Sequence, residues 1–355
     1  MPFKETLKRM AFNIFSVNMN KKLFWGIPLL IPQTILRRYI IVLIVMFLVM
    51  ILLGGMTRLG GAGLSMVDWQ PLMGILPPFT FKAWMGVFEA YQQSPEYLLI
   101  NKGMTLEAFK KIFWLEYFHR LWGRLMGVVL VLSLVYALKS SLKTFVKPLT
   151  SLILLGLIQA IMGWIMVKSG LSKDPHVNPL CLVMHLGLAM LTFGFLIVLY
   201  FKTFERPMTF SINQKITVGF IAVTMLYGGL VAGHKAGLIY NTFPLMNGYF
   251  VPLDAWHLPL WKNFILNPAT VQWLHRLLGL STFCYLLLTC GRHPFNRWLL
   301  AGVSLQVLLG VLTLLYQVPL VLGVCHQLWA FCLLALSLKP KIGVINEKEP
   351  MKQSL

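Results

Sequence analysis

The amino-acid sequence predicts an all-α polytopic membrane protein. It reads as eight transmembrane helices in two pseudo-symmetric four-helix bundles, with both termini cytoplasmic. Three observations lead there. Of 355 residues, 57% are hydrophobic and only 12% charged, and mean hydropathy is +0.73, too little polar surface for a chain dissolved in water. Several apolar runs approach the roughly 20 residues that a spanning helix needs. The second half of the chain also repeats the motifs of the first, in the same order.

The runs lie at 38–56, 121–138, 148–167, 180–201, 216–233, 271–290, 298–316 and 318–338. The second is the least uniform, because Arg124 lies inside it. The start, "MPFKETLKRMAFNIF", lacks the continuous apolar core of a cleavable signal. Between the first two runs, 57–118 forms the largest loop, and the prolines of "DWQPLMGILPP" predict extended or turning chain there. Thr105 is placed to cap a helix over "LEAFKKIFWLEYFHR" that continues into the second span. The matching loop, 234–270, is shorter and rich in Pro, Asn and aromatics.

Lysine and arginine set the orientation. One side collects Lys4, Lys8, Arg9, Lys21, Lys22, Arg37 and Arg38 at the N-terminus, and Lys139, Lys143, Lys147, Lys202, Arg206, Lys215, Arg292 and Arg297 in connecting loops. The tail adds Lys339, Lys341, Lys348 and Lys352 to the same side. The opposite loops are longer and hold only Arg58, Lys82, Lys102, Lys110, Lys111, Lys168, Lys173, Lys235 and Lys262. The positive-inside rule makes the first side cytoplasmic. The formal charge of +20 is then topology and lipid contact, and nucleic-acid binding is set aside. The five cysteines, 181, 284, 290, 325 and 332, form no CxxC and read as small core residues.

The repeat is read residue by residue. "GGMTRLGGAGLSMVDWQPLMG" (54–74) matches "GGLVAGHKAGLIYNTFPLMNG" (228–248), and "HRLWG" (119–123) matches "HRLLG" (275–279). "QAIMG" (159–163) matches "QVLLG" (306–310), and "VMHLGLA" (183–189) matches "VCHQLWA" (324–330). Four helices return the chain to its starting side, so the repeats have parallel topology. The expected organisation is a cytoplasmic segment 1–36, a first bundle 37–201, a cytoplasmic linker 202–215, a second bundle 216–338 and a cytoplasmic tail 339–355.

Four of the eight histidines occupy matched positions: His119 and His185 in half one, His275 and His326 in half two. Each lies within about two turns of the outer end of its span. Ionisable residues in a span are costly and face the bundle interior or a cavity. A hydrogen bond between helices explains one such residue; four at equivalent places point to paired imidazoles holding haem iron. Zinc wants further ligands, and half two offers only Gln272 where half one has Glu116. Arg120 and Arg276, one residue on, are candidates to meet haem propionates or to snorkel to lipid phosphate.

Glu116 precedes His119 by three residues, so the two share a helix face. Gln272 stands before His275 with the same shape and no charge. The asymmetry suggests one reactive and one supporting site. The competing reading is a dihaem b-type membrane cytochrome for electron transfer, but haems across a membrane need histidines toward both helix ends. A secondary transporter is disfavoured by the lack of a mid-span Pro or charge.

These motifs resemble the haem A synthase family, in its proteobacterial and mitochondrial type, over about 37–338. Loops 57–118 and 234–270 contain no cysteine, so the loop cysteine pairs of the Gram-positive type do not carry over. The resemblance implies an oxidoreductase of the bacterial inner membrane. It would oxidise the C8 methyl of haem O to a formyl group, making haem A for cytochrome c oxidase. It further implies haem b on His275 and His326, and the substrate haem at His119 and His185 with Glu116 beside it. Haem O synthase and cytochrome c oxidase assembly factors are the implied partners, together with membrane lipid, and a homo-oligomer is allowed.

Overall fold

The computed structural model describes residues 30–68, 73–172, 175–257, 259–289 and 294–343. Most of the expected N-terminal segment, the tail beyond 343 and Cys290 lie outside the described residues. The chain is mostly helical, and the one strand pair among the described residues is a two-residue ribbon. It joins β1 (Met208–Thr209) to β2 (Lys341–Ile342).

Half one comprises α1 (Leu30–Leu59), the loop helices α2 (Phe81–Gln92) and α3 (Pro95–Leu99), then α4 (Leu106–Lys139), α5 (Val146–Gly170) and α6 (Pro179–Lys202). Half two comprises α7 (Ile212–Gly233), the short α8 (Leu260–Leu266), α9 (Pro268–Thr289), α10 (Pro294–Leu315) and α11 (Leu320–Ser337). The helices α1, α4, α5 and α6 pack in a ring, and α7, α9, α10 and α11 pack in another. The rings meet where α6 lies on α7 and α1 and α6 lie on α11. Phe47, Phe193 and Phe331 close that seam, with ring centroids 5.0, 5.6 and 6.3 Å apart.

Among the described residues, seven helices are long and apolar enough to cross a membrane: α1, α4, α5, α6, α7, α10 and α11. The helix α9 is not among them, although at 22 residues it is as long as α7. Gln272, His275 and Arg276 crowd its first turns and lower its hydropathy. Outward faces carry large apolar residues such as Val45, Val128, Leu132, Leu157 and Ile161, as a lipid-facing surface requires. Cys284 and Cys325 are exposed on that surface, which corrects their reading as core residues. An apolar run in a bilayer is apolar on both faces, so apolarity does not say which face is inside.

Thr105 caps α4 as expected, accepting from Ala108 N, and α4 runs unbroken from the long loop into the bundle for 34 residues. Above the bundle, α2 and α3 fold onto its first turns. Trp84, Phe88, Tyr91, Phe109, Phe113 and Tyr117 form their shared core. Glu96 is buried there. It accepts from Tyr91 Oη at 3.1 Å, and Asn101 Nδ2 donates to the same hydroxyl at 2.8 Å. Burial pushes the Glu96 carboxyl up to about 7.

Candidate functional site

The four matched histidines sit toward the end of the bundles that carries the long loops, one each on α4, α6, α9 and α11. Each is partly buried and faces a glycine on a neighbouring helix. A Cβ on Gly54 would lie 3.3 Å from His119 Nε2, and one on Gly163 would lie 3.1 Å from His185 Cε1. In half two, a Cβ on Gly228 would lie 3.0 Å from His275 Cε1 and one on Gly310 2.9 Å from His326 Cε1. Gly54 pairs with Gly228 in the repeat, and Gly163 with Gly310. Each ring therefore occupies room that only a missing side chain leaves.

His275 and His326 face each other across the second bundle, with ring centroids 6.3 Å apart and planes at 84°. Two imidazoles bonded to opposite faces of one metal at about 2 Å each have centroids about 6 Å apart. His275 Nδ1 is 3.0 Å from the Thr224 carbonyl, which leaves Nε2 free to bind a metal. His326 Nδ1 is buried without a hydrogen-bond partner. Among the described residues no third His, Cys, Asp or Glu completes a metal cluster. That donor set suits a planar macrocycle filling the remaining positions, and not zinc. In the loops, His234 and His257 are committed to the Ile265 and Asp254 carbonyls.

Glu116 is 2% exposed and fully engaged. Its Oε1 accepts from Arg120 Nη2 at 2.6 Å and Nε at 3.1 Å. Its Oε2 accepts from Ser65 Oγ at 2.7 Å and Met66 N at 2.9 Å. A buried carboxylate is retained only with such partners. Gln272, 2% exposed, instead donates to the Tyr240 carbonyl at 3.0 Å, and its Oε1 has no partner.

The arginines tie the long loops to the histidine helices. Arg120 donates to the Met66 and Asp68 carbonyls at 2.9 and 3.2 Å. Arg276 donates to the equivalent Tyr240 and Thr242 carbonyls at 2.7 and 2.8 Å. Neither arrangement was expected from the sequence, which offered propionate or lipid phosphate as partners. Arg276 Nε remains buried without a partner, whereas Arg120 spends Nε on Glu116. Each His-Arg pair thus divides its work: the imidazole faces the bundle interior and the guanidinium clamps the loop above it.

Ser65, the Met66 amide, Thr224 and the four glycines escaped the sequence reading. The glycines lie in the repeated motifs, but nothing in one chain's sequence says which histidine each would face.

Comparison with known proteins agrees with this geometry. Residues 37–338 match the family described as Cytochrome oxidase assembly protein, COX15-CtaA. A protein of Wolbachia pipientis wMel named Heme A synthase is 40% identical over 309 residues, 83% of this chain and 88% of that one. Heme A synthase of Paramagnetospirillum magneticum is 41% identical over 315 residues, covering 82% and 89%. That of Nitrosospira multiformis is 39% identical over 314 residues, covering 81% and 87%. The family matched, the proteobacterial relatives and the duplicated histidine bundle agree, and the chain belongs to the heme A synthase family.

Proposed function

We propose that the chain is a haem A synthase of the bacterial inner membrane. It oxidises the C8 methyl group of haem O to a formyl group by two successive hydroxylations, supplying haem A for cytochrome c oxidase. The observation that carries this reading is the pair of matched histidine sites, alike in their ligands and unlike in the group beside them. We assign His275 and His326 to a resident haem b and His119 and His185 to the substrate haem, with Glu116 next to the reacting half. The bound haem b supplies electron transfer.

This chain's residues do the rest. Glu116 is fixed in place by Arg120, Ser65 and the Met66 amide. It is placed to stabilise positive charge that develops as the methyl is oxidised, or to take a proton from attacking water. Gln272 keeps the shape without the charge and fits a site that does no chemistry. An open apolar groove of about 590 Å³ lies on the outer face between α5 and α6, lined by Ile158, Ile161, Met184, Gly187 and Leu191. At the matching positions half two carries Leu328 and Trp329 in place of Gly187 and Leu188.

In the same reading α9 is the eighth span, both termini are cytoplasmic and the long loops lie outside. The two bundles, 37–201 and 216–338, are the functional halves, joined by the cytoplasmic linker 202–215. Arg276 Nε offers one donor to a propionate. Haem O synthase and oxidase assembly factors are the partners.

Chromatography of haems extracted from cells expressing the chain tests the reaction. Haem A should appear when haem O synthase is co-expressed and be absent without it. Haem O that accumulates unchanged would refute the assignment.

A further inference from the structure

The repeated motifs "QAIMG" and "QVLLG" have no role in the function argued so far. They lie on α5 and α10, and in each the glutamine is four residues before the glycine that faces a histidine. Residues four apart share a helix face, so each glutamine looks at the same imidazole. Gln159 Nε2 donates to the His185 carbonyl at 3.1 Å and lies 3.1 Å from the ring Nε2 and 3.3 Å from Nδ1. Gln306 Nε2 donates to the His326 carbonyl at 3.0 Å and lies 3.5 Å from the ring Nε2.

Both amide oxygens, Gln159 Oε1 and Gln306 Oε1, are buried without a partner, and so is His326 Nδ1. A buried acceptor left alone costs free energy, and so does a buried donor. Here an orphan acceptor and an orphan ring nitrogen belong to adjacent side chains in one bundle. The last torsions of Gln and His are broad, so the pairing asks for rotation of the amide and of the ring, whose Nε2 lies nearer the amide nitrogen in half two.

We infer that Gln159 and Gln306 are positioning residues whose amide oxygens take the Nδ1–H of His185 and His326, reserving each Nε2 for iron. The inference rests on the reading of the histidine pairs as haem ligands. In half two the ligands are then held differently. The Thr224 carbonyl accepts from His275 Nδ1, and the Gln306 oxygen would accept from His326 Nδ1, these last two atoms now being without a partner.

The test uses purified full-length protein carrying haem b, titrated by spectroelectrochemistry. An acceptor on Nδ1–H makes the imidazole more basic and favours ferric iron. Gln306→Leu removes the acceptor and should raise the midpoint potential. Gln306→Glu supplies a stronger acceptor and should lower it. A tenfold change in the ferric-to-ferrous ratio corresponds to about 59 mV for one electron, and shifts of that order with opposite signs are expected. Unchanged potentials, or shifts of the same sign, would overturn the inference. If Gln306→Leu loses its haem, the direction of the isosteric Gln306→Glu decides alone, and loss of haem from that variant too would count against the proposal. Wild-type protein that holds no haem b would instead defeat the ligand assignment, and this inference with it.

Discussion

Replacing Glu116 by glutamine separates chemistry from structure in half one. The carboxylate accepts four hydrogen bonds, two from Arg120 and one each from Ser65 and the Met66 amide. An amide keeps one acceptor oxygen and turns its NH2 toward donors. Breaking a buried ion pair by removing one partner costs about 3–5 kcal/mol. The cost here should lie at the low end, because Arg120 keeps the Met66 and Asp68 carbonyls. The second bundle is untouched, so haem b should remain. Conversion of haem O should fall about 10²–10⁴-fold, the size of a positioned acid–base group. Arg120→Met breaks the same pair and keeps the carboxylate. It should lose more thermal stability than Glu116→Gln, because the Met66 and Asp68 carbonyls lose their donor too, and exceed it in haem A yield. Gln272→Glu should create no second active site. The assay is chromatography of extracted haems beside a melting curve of each purified variant. Normal haem A from Glu116→Gln would remove the carboxylate from the mechanism.

Three further outcomes are expected. Gly310→Ala places a Cβ 2.9 Å from His326 Cε1, so haem b content, read from absorbance per protein, should drop about 10-fold or more; Gly54→Ala, at 3.3 Å from His119, should leave haem b unchanged. The Glu96 carboxyl titrates near 7 in the fold, above its unfolded value, so the folded loop binds the extra proton. Its stabilising contribution is full below about pH 4.5 and lost as pH rises through 7, by at most about 3 kcal/mol. Proteolysis of the 80–109 loop should accelerate over that window and Glu96→Gln should flatten the profile; equal pH dependence in both proteins would contradict it. A cysteine at Ala90 should react with impermeant reagent only from outside intact cells, and labelling only from the cytoplasm would invert the proposed topology.

Local signals were legible in the sequence because their causes are local. Thr105 announced the start of α4 through its cap, and α4 continued into the bundle as its apolar run required. The matched histidines were found from the repeat alone. What stayed hidden depends on chain segments far apart. Glu116 meets Ser65, fifty-one residues away, and Arg276 meets Tyr240, thirty-six away, and neither spacing has a local signature. The histidine–glycine contacts are equally non-local. The exposed Cys284 and Cys325 were misplaced because lipid, unlike water, leaves no polar mark on the outer face of a helix. The helix α9 falls short on hydropathy because of Gln272, His275 and Arg276, the residues assigned to the proposed site.

The central claim is that the two histidine pairs hold different haems for different purposes. The most direct measurement is the absorbance spectrum of purified His326→Ala beside that of purified His119→Ala. His326→Ala should lose the low-spin haem b signal or turn it high-spin, whereas His119→Ala should keep it. A low-spin spectrum unchanged in His326→Ala would contradict the account.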